Sequence, residues 1–103
     1  MPHQIILHGK AREELANLYD YIADHAGPAI AWQYVLGLRQ FMEGLSEFPE
    51  RGTVREGRIA GLRVIGYRRS TSVAFVAAEG KVSILGIFYG GRLVSEEALR
   101  TRL

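Results

Sequence analysis

The stretch LYDYIADHAGPAIAWQYV, residues 18–35, contains a break between two amphipathic helices. Gly27 suits the C-terminal end of a helix, and Pro28 suits the first turn of the next one. Apolar residues recur at helical spacing on both sides of the break, at Ala11, Leu15, Leu18, Tyr19, Ile22 and Ala26, and then at Ala31, Val35, Leu38, Met42 and Leu45. The pattern predicts helices over residues 10–26 and 28–46 that pack together as a helical hairpin.

Outside the hairpin, the apolar spacing changes to two, which is typical of β-strands. The predicted strands are residues 4–8, 59–67, 71–78 and 81–89. The last two should form an antiparallel pair through the tight turn at residues 78–81. Residues 93–103 predict a short terminal helix capped by Ser95, or a segment that stays mobile until a partner orders it. The order β-α-α-β-β-β places the chain in the α+β class.

The length and composition indicate one domain over residues 1–103. A chain of 103 residues with 48% hydrophobic and 23% charged residues can bury one modest core. The sequence has no apolar run of membrane-spanning length and no signal-peptide pattern, so we expect a cytoplasmic protein without membrane contact. The absence of cysteine agrees with a reducing compartment and excludes disulfides and thiolate metal sites.

The two halves of the chain carry opposite charge. Residues 1–50 hold three basic and seven acidic side chains, a balance of −4, and residues 51–103 hold ten and four, a balance of +6. Eleven of the thirteen cationic residues are arginine, whose planar fork suits phosphate and carboxylate groups. The bias favours an anionic or acidic partner, although genomic base composition also enriches arginine.

Motifs for metal, cofactor or nucleophilic chemistry are not found. His3, His8 and His25 lack the spacing of metal ligands, so no metal site and no cofactor are predicted. The sequence contains no GxSxG elbow and no P-loop, and the glycine pair Gly90-Gly91 is better suited to a turn after the last strand. With no cysteine and no convincing base, nucleophilic catalysis is poorly supported.

The candidate binding residues are arginines beside strand tyrosines. In GLRVIGYRRS, residues 61–70, alternation places Arg63 on one strand face with Ile65 and Tyr67, and we expect that face to lie opposite the helical hairpin. The arginines should gather near one end or one face of the sheet with two tyrosines, and the full set is Arg63, Tyr67, Arg68, Arg69, Tyr89 and Arg92. A nuclease could use such a set to neutralise a scissile phosphate, and a DNA or protein binder could use it to hold phosphates or carboxylates. A set of solvated hairpin charges is the third alternative.

Three helix aromatics lie off the main apolar stripe. Tyr21, Trp32 and Tyr34 either pack at the helix edges or form a patch that faces a partner, whereas Tyr19 falls on the stripe and is predicted to be in the core.

Six short motifs occur in an order that resembles the ParE branch of the RelE/ParE toxin superfamily. They are REEL at 12–15, YDYIA at 19–23, FPERG at 48–52, GLR at 61–63, YRR at 67–69 and ILGIFYGGR at 84–92. The resemblance implies a toxin of a type II toxin-antitoxin module, with a helical hairpin packed on a small curved antiparallel sheet. It also implies a ParD-like antitoxin of the ribbon-helix-helix type, which forms a hetero-oligomer with the toxin, wraps it with a tail and alone binds DNA.

The superfamily includes RelE-like nucleases that cleave mRNA on ribosomes and ParE-like inhibitors of DNA gyrase. The nuclease pattern has two basic residues two positions apart on the second strand, an arginine on the third strand, an arginine after the last strand and a tyrosine in the C-terminal tail. In this chain the five positions are, in that order, Arg63, Ile65, Ser72, Arg92 and Ala98. Only the two arginines agree with the nuclease pattern. Each missing group is commonly worth ~100-fold in rate, although Tyr89 could substitute for the absent tail tyrosine.

The resemblance therefore favours a gyrase inhibitor without a catalytic site of its own. The arginine and tyrosine set named above would contact gyrase, while Tyr21, Trp32 and Tyr34, with the groove beside the sheet, would contact the antitoxin. A ribosome-dependent mRNA endonuclease and a non-toxic binding module remain the alternatives.

Overall fold

A helical hairpin covers one face of a five-stranded sheet in the computed structural model, which describes residues 3–55, 57–90 and 92–102. The elements in chain order are β1 (Gln4–Leu7), α1 (Gly9–Ala26), α2 (Pro28–Glu43), β2 (Thr53–Val54), β3 (Leu62–Tyr67), β4 (Thr71–Ala78), β5 (Lys81–Tyr89) and α3 (Glu96–Arg100). The α+β class, the hairpin and the short terminal helix are confirmed. Gly91, part of the predicted turn after the last strand, lies outside the described residues.

The break between the helices forms as the sequence predicts. Gly27 has φ +95°, its N–H donates to the carbonyl of Ala23 at 3.0 Å, and its carbonyl accepts from the N–H of Ala31 at 3.1 Å. One glycine therefore ends α1 and starts α2. Residues 44–46, which were predicted to end the second helix, form a single 3₁₀ turn.

The sheet differs from the prediction in two ways. Its strand order is β1-β5-β4-β3-β2, and β1 pairs parallel to β5, so the sheet is mixed although its other pairs are antiparallel. The hairpin and three strands separate β1 from β5 in the chain. Local sequence therefore does not specify whether these two strands pair parallel or antiparallel. β2 was missed because only two residues of a polar loop pair with β3.

Apolar side chains cover both faces of the sheet. The larger core lies between the sheet and the hairpin and includes Leu18, Leu38 and Phe75. On the opposite face, Leu99 of α3 and Ile59 pack over the smaller core. Serine capping of α3 is confirmed, since the Ser95 side chain accepts a hydrogen bond from the N–H of Ala98 at 3.3 Å.

A partly buried ion pair between Arg102 and Glu14 lies at the edge of β5 beyond the end of β1. Leu85 is an extra residue in β5, because Ala74 pairs with Gly86 while the next residue of β4 pairs with Ile84. Glu14 Oε1 accepts from the N–H of Ile87 at 3.1 Å, and Arg102 Nη1 donates to Glu14 Oε1 at 2.8 Å and to the Leu85 carbonyl at 3.0 Å. These contacts fasten the C-terminus and α1 to the bulge.

Replacing Arg102 with alanine should lower the free energy of unfolding by about 2 kcal/mol. The change leaves the Glu14 carboxylate and the Leu85 carbonyl without their cationic donor, and the two charged side chains are only 12% and 19% exposed. Urea unfolding measures the loss. Lys10→Ala is the control, because it removes a pair with Glu13 whose side chains are 63% and 65% exposed, and it should cost under about 0.5 kcal/mol. Equal losses would contradict the structural role of the Arg102 contacts.

Candidate functional site

Two tyrosines and a threonine stand side by side where three strands end. Tyr67 of β3 is opposite Thr71 of β4, which is in turn opposite Tyr89 of β5. Since neighbouring strands are ~4.8 Å apart, the two tyrosine backbones are separated by ~10 Å. The side chains of these three residues point to the face covered by the hairpin.

An arginine lies over each tyrosine. The guanidinium carbon of Arg68 is 5.5 Å from the centre of the Tyr67 ring, and that of Arg92 is 5.4 Å from the centre of the Tyr89 ring. We call Tyr67, Arg68, Arg69, Tyr89 and Arg92 the arginine-tyrosine end. Its three arginines are exposed, and none of them takes part in an ion pair among the described residues. Stacking orients a guanidinium while leaving its N–H groups available to carboxylate or phosphate oxygens.

The turn between β3 and β4 holds its arginines in an unfavourable backbone conformation. Arg68 has φ +49° and Arg69 has φ +66°, in the left-handed region that costs a side-chain-bearing residue roughly 1–2 kcal/mol. Asparagine and glycine occupy such positions at lower cost. Strained residues of this kind cluster at functional sites, so the turn is a candidate for function.

The helical hairpin supports both tyrosines. Tyr34 packs edge-on against Tyr67 with ring centroids 5.4 Å apart, and Tyr21 packs against Tyr89 with centroids 5.5 Å apart. Gly37 makes room for Tyr67, because a Cβ atom at that glycine would lie 2.5 Å from the tyrosine hydroxyl oxygen. The helices therefore position the rings on which the arginines stack.

The three helix aromatics have different environments. The Tyr34 hydroxyl is 2.6 Å from the Thr71 hydroxyl and 3.2 Å from the Ser70 hydroxyl, so Tyr34 links α2 to the start of β4. The side chains of Tyr21 and Trp32 remain 47% and 56% exposed. Of the three residues expected to contact the antitoxin, Tyr21 and Trp32 are therefore the exposed ones.

Replacing Tyr34 with phenylalanine should lower the free energy of unfolding by about 1–2 kcal/mol. The change leaves the Thr71 hydroxyl, in a residue only 3% exposed, without the partner at 2.6 Å. Thermal and urea unfolding measure the difference. Tyr21→Phe removes a hydroxyl that has no hydrogen bond among the described residues, and it should change stability by under about 0.5 kcal/mol. A Tyr34→Phe protein as stable as the wild type would show that this bond is unimportant.

Arg63 does not lie where the sequence analysis expected it. Its strand face, shared with Ile65 and Tyr67, is the face covered by the hairpin rather than the opposite one. Arg63 precedes Tyr67 by four residues, a distance of ~13 Å along the strand, so it is not part of the arginine-tyrosine end. Its Nη1 donates to the Glu50 carbonyl at 2.8 Å, which fastens the loop before β2 to the sheet.

The five positions compared with RelE-like nucleases are not brought together. Ile65 contributes to the core under the hairpin, whereas alternation along β4 directs Ser72 to the opposite face. Ala98 lies in α3, which packs on that opposite face through Leu99. The retained Arg63 and Arg92 are at different ends of the sheet.

The described residues contain no group of three or more His, Asp or Glu side chains that could hold a metal ion. Within the same residues, no helix is both long and apolar enough to span a membrane.

The structure is that of a small α+β protein with exposed cationic side chains at one end of its sheet. Residues 5–93 match the family described as the ParE toxin of the type II toxin-antitoxin system, parDE. The chain therefore belongs to the ParE toxin family of type II toxin-antitoxin systems. A search of curated proteins finds no match.

Solved structures share this fold at low sequence identity. A chain of the chromosomal ParDE toxin-antitoxin system from P. aeruginosa superimposes with a TM-score of 0.73 at 23% identity, covering 84% of this chain and 95% of the other. The RelBE2 toxin-antitoxin complex from Mycobacterium tuberculosis gives 0.65 at 19% identity, with coverage of 87% and 100%. A mutant of E. coli toxin RelE in the free state gives 0.62 at 12% identity, with coverage of 99% and 94%.

Proposed function

We propose that this chain is a cytoplasmic toxin that inhibits DNA gyrase by binding to it and is neutralised by a ParD-like antitoxin. The arginine-tyrosine end carries the proposal. Its three exposed arginines are at one edge of the molecule, and two of them are stacked on tyrosines held by the hairpin. This arrangement suits carboxylates on a protein surface, which arginine binds through paired hydrogen bonds.

Inhibition by binding agrees better with these residues than mRNA cleavage does. A nuclease needs groups that converge on one phosphate for proton transfer and charge stabilisation. Here isoleucine, serine and alanine occupy three of the five compared positions, and the two remaining arginines are far apart along the sheet. The proposal therefore assigns no catalytic residue. In this scheme Arg63 fastens the loop at Glu50 to the sheet through its hydrogen bond to the Glu50 carbonyl. It contacts gyrase only if that loop also lies at the interface.

The proposed antitoxin contacts are aromatic residues of the two helices of the hairpin. Tyr21 and Trp32 are exposed aromatic residues of the type that anchors protein interfaces, and Leu36 follows Trp32 one helical turn later with 40% of its surface exposed. Tyr34 contributes by holding α2 on β4, since its hydroxyl already has two partners. DNA binding would belong to the ribbon-helix-helix half of the antitoxin within a hetero-oligomer.

A supercoiling assay tests the proposed target. Purified toxin is added to gyrase and relaxed plasmid, and in parallel to translating ribosomes with labelled mRNA. We expect inhibition of supercoiling and intact mRNA, with supercoiling restored when the antitoxin is added. Untouched supercoiling at excess toxin together with mRNA cleavage would replace this proposal with the endonuclease. Normal growth of cells expressing the free protein, with both assays negative, would favour a non-toxic binding module.

A further inference from the structure

The two-residue strand β2 is an outer strand of the sheet, at the edge opposite β1. The N–H of Arg55 donates to the Leu62 carbonyl at 2.8 Å, so the backbone groups of Arg55 face β3. Because backbone groups alternate in direction along a strand, the N–H and the carbonyl of Val54 point away from the sheet. Val54 therefore offers one donor and one acceptor to a further strand, as the edges of sheets do.

Two exposed apolar side chains lie at this edge. Val54 is 47% exposed and Phe48 is 61% exposed. Val54 is opposite Arg63, whose Nη1 donates to the Glu50 carbonyl at 2.8 Å, and this bond holds the loop that carries Phe48 at the same edge. The guanidinium carbon of Arg51 is 4.9 Å from the centre of the Phe48 ring. The edge therefore combines outward-pointing backbone groups, apolar surface and charged side chains.

The charges on the two sides of Val54 are opposite in sign. Residues 47–51 carry two acids and one arginine, a balance of −1, and residues 55–58 carry two arginines and one acid, a balance of +1. If two copies pair antiparallel about Val54, the residues before Val54 in one copy face the residues after it in the other. Glu50 and Arg58 are both exposed and are each four positions from Val54, so they meet once on each side of the twofold axis.

We propose that the outer edge of β2 binds a second copy of this chain, in a symmetric antiparallel pair centred on Val54. The two Val54 residues exchange backbone hydrogen bonds, and the side chains of Val54 and Phe48 add apolar contact. Glu50 of each copy pairs with Arg58 of the other. A second copy fits this edge because the edge is complementary to itself in backbone groups and in charge, as a twofold interface requires. The inference does not depend on the proposed target or on the antitoxin.

This pair leaves the arginine-tyrosine end of each copy uncovered. β2 is opposite Arg63 and Val64, whereas Tyr67 is at the other end of β3, ~10–13 Å further along the strand. The dimer therefore carries two arginine-tyrosine ends. Because the interface is centred on a strand of only two residues, it belongs to the class of small and weak interfaces. We expect dimers to form at micromolar or higher concentration.

Sedimentation equilibrium of the free toxin, made by cell-free synthesis, tests the inference over roughly 1–300 µM. We expect the mean mass to rise with concentration from that of the monomer to that of the dimer. Val54→Glu places two carboxylates opposite each other at the twofold axis, and it should raise the dissociation constant at least about tenfold. Leu36→Glu is the matched control, because it adds the same charge to an apolar residue of α2 that is 40% exposed, and it should change the constant less than about twofold. Circular dichroism verifies that both variants are folded.

A charge exchange tests the register of the pair. Glu50→Arg and Arg58→Glu each place like charges face to face, and each should weaken the dimer about fivefold or more. The double variant Glu50→Arg/Arg58→Glu restores opposite charges and should return the dissociation constant to within about twofold of the wild type. The hydrogen bond from Arg63 is made to the backbone of Glu50, so these side-chain changes leave it in place. A double variant as weak as the single variants would exclude pairing centred on Val54.

Amide hydrogen exchange locates the contact. The N–H of Val54 should become protected as the concentration rises, whereas that of Arg55 is bonded to Leu62 in the monomer already. A toxin that stays monomeric throughout, a dimer weakened by Leu36→Glu and not by Val54→Glu, or unchanged exchange at Val54 would overturn the inference. It would equally be wrong if the toxin stays monomeric and Val54→Glu instead weakens binding of the antitoxin, because the edge would then belong to that partner. None of these measurements contains gyrase, so they are independent of the supercoiling result.

Discussion

The Arg68→Asn/Arg69→Gly toxin is expected to inhibit gyrase supercoiling about 100-fold less strongly than the wild type while unfolding at higher urea concentration. Each exposed guanidinium that pairs with a carboxylate contributes roughly 1.5–3 kcal/mol, so loss of two contacts removes at least two orders of magnitude in affinity. Asparagine and glycine accept the left-handed conformation that both arginines now occupy. We therefore expect a gain in stability of about 1 kcal/mol.

The opposite signs of the two effects make this variant informative. Most inactivating substitutions also destabilise, so a loss of inhibition alone cannot separate a missing contact from a misfolded protein. The control Arg12→Gln/Arg39→Gln removes two other arginine charges. It should retain inhibition within about twofold, because Arg12 and Arg39 are exposed helix residues outside the arginine-tyrosine end. Full inhibition by the Arg68→Asn/Arg69→Gly toxin would remove this turn from the target surface.

Gly52→Ala is expected to lower the free energy of unfolding by about 3 kcal/mol, the largest stability effect that we predict. Gly52 has φ +82°, which costs an alanine roughly 1 kcal/mol. A Cβ atom at this position would also lie 2.6 Å from the carbonyl oxygen of Val64 and 3.0 Å from the Cβ of Ile65. The carbonyl belongs to β3 and is held by the sheet, so relief requires a shift of backbone that adds about 1–3 kcal/mol.

Gly80→Ala separates the cost of the backbone conformation from the cost of the close contact with β3. Gly80, in the turn before β5, has φ +75°, but a Cβ atom there meets nothing within 4 Å. Its replacement should therefore cost only the conformational part, about 1 kcal/mol. Urea denaturation of both variants measures the difference, which isolates the contact between Gly52 and β3. Equal losses in the two variants would mean that the loop before β2 moves freely away from the sheet.

The FPERG motif at 48–52 shows what sequence patterns convey and what they omit. Its proline and glycine correctly predicted a chain break after the second helix. The structure adds the reason for a glycine at this position, which is the approach of Val64, and it adds β2. Both depend on residues that lie about ten positions further along the chain, so no local pattern could have revealed them.

The candidate site was predicted only in part. Tyr67, Arg68 and Arg69 are adjacent in sequence, and the pairing of β4 with β5 brings Tyr89 and Arg92 beside them, as the predicted antiparallel hairpin implied. Alternation also gave the correct neighbours of Arg63 on its strand, but it could not say which face the hairpin covers. Because β3 carries apolar side chains on both faces, its sequence does not determine which face the hairpin covers. We expected the face of Arg63 to lie away from the hairpin, and this was wrong.

The sequence by itself determined the helical hairpin, the three long strands and the charge imbalance between the halves of the chain, and it offered the Ser95-capped helix as one of two alternatives. These features depend on contacts between near neighbours, through spacing, capping and turn geometry. Only the tertiary structure decided the parallel pairing of β1, the face to which Arg63 points, and the left-handed backbone conformation of Arg68 and Arg69. Each of these arises where segments distant in the chain pack together, because packing selects among arrangements that local preferences leave nearly equal in free energy.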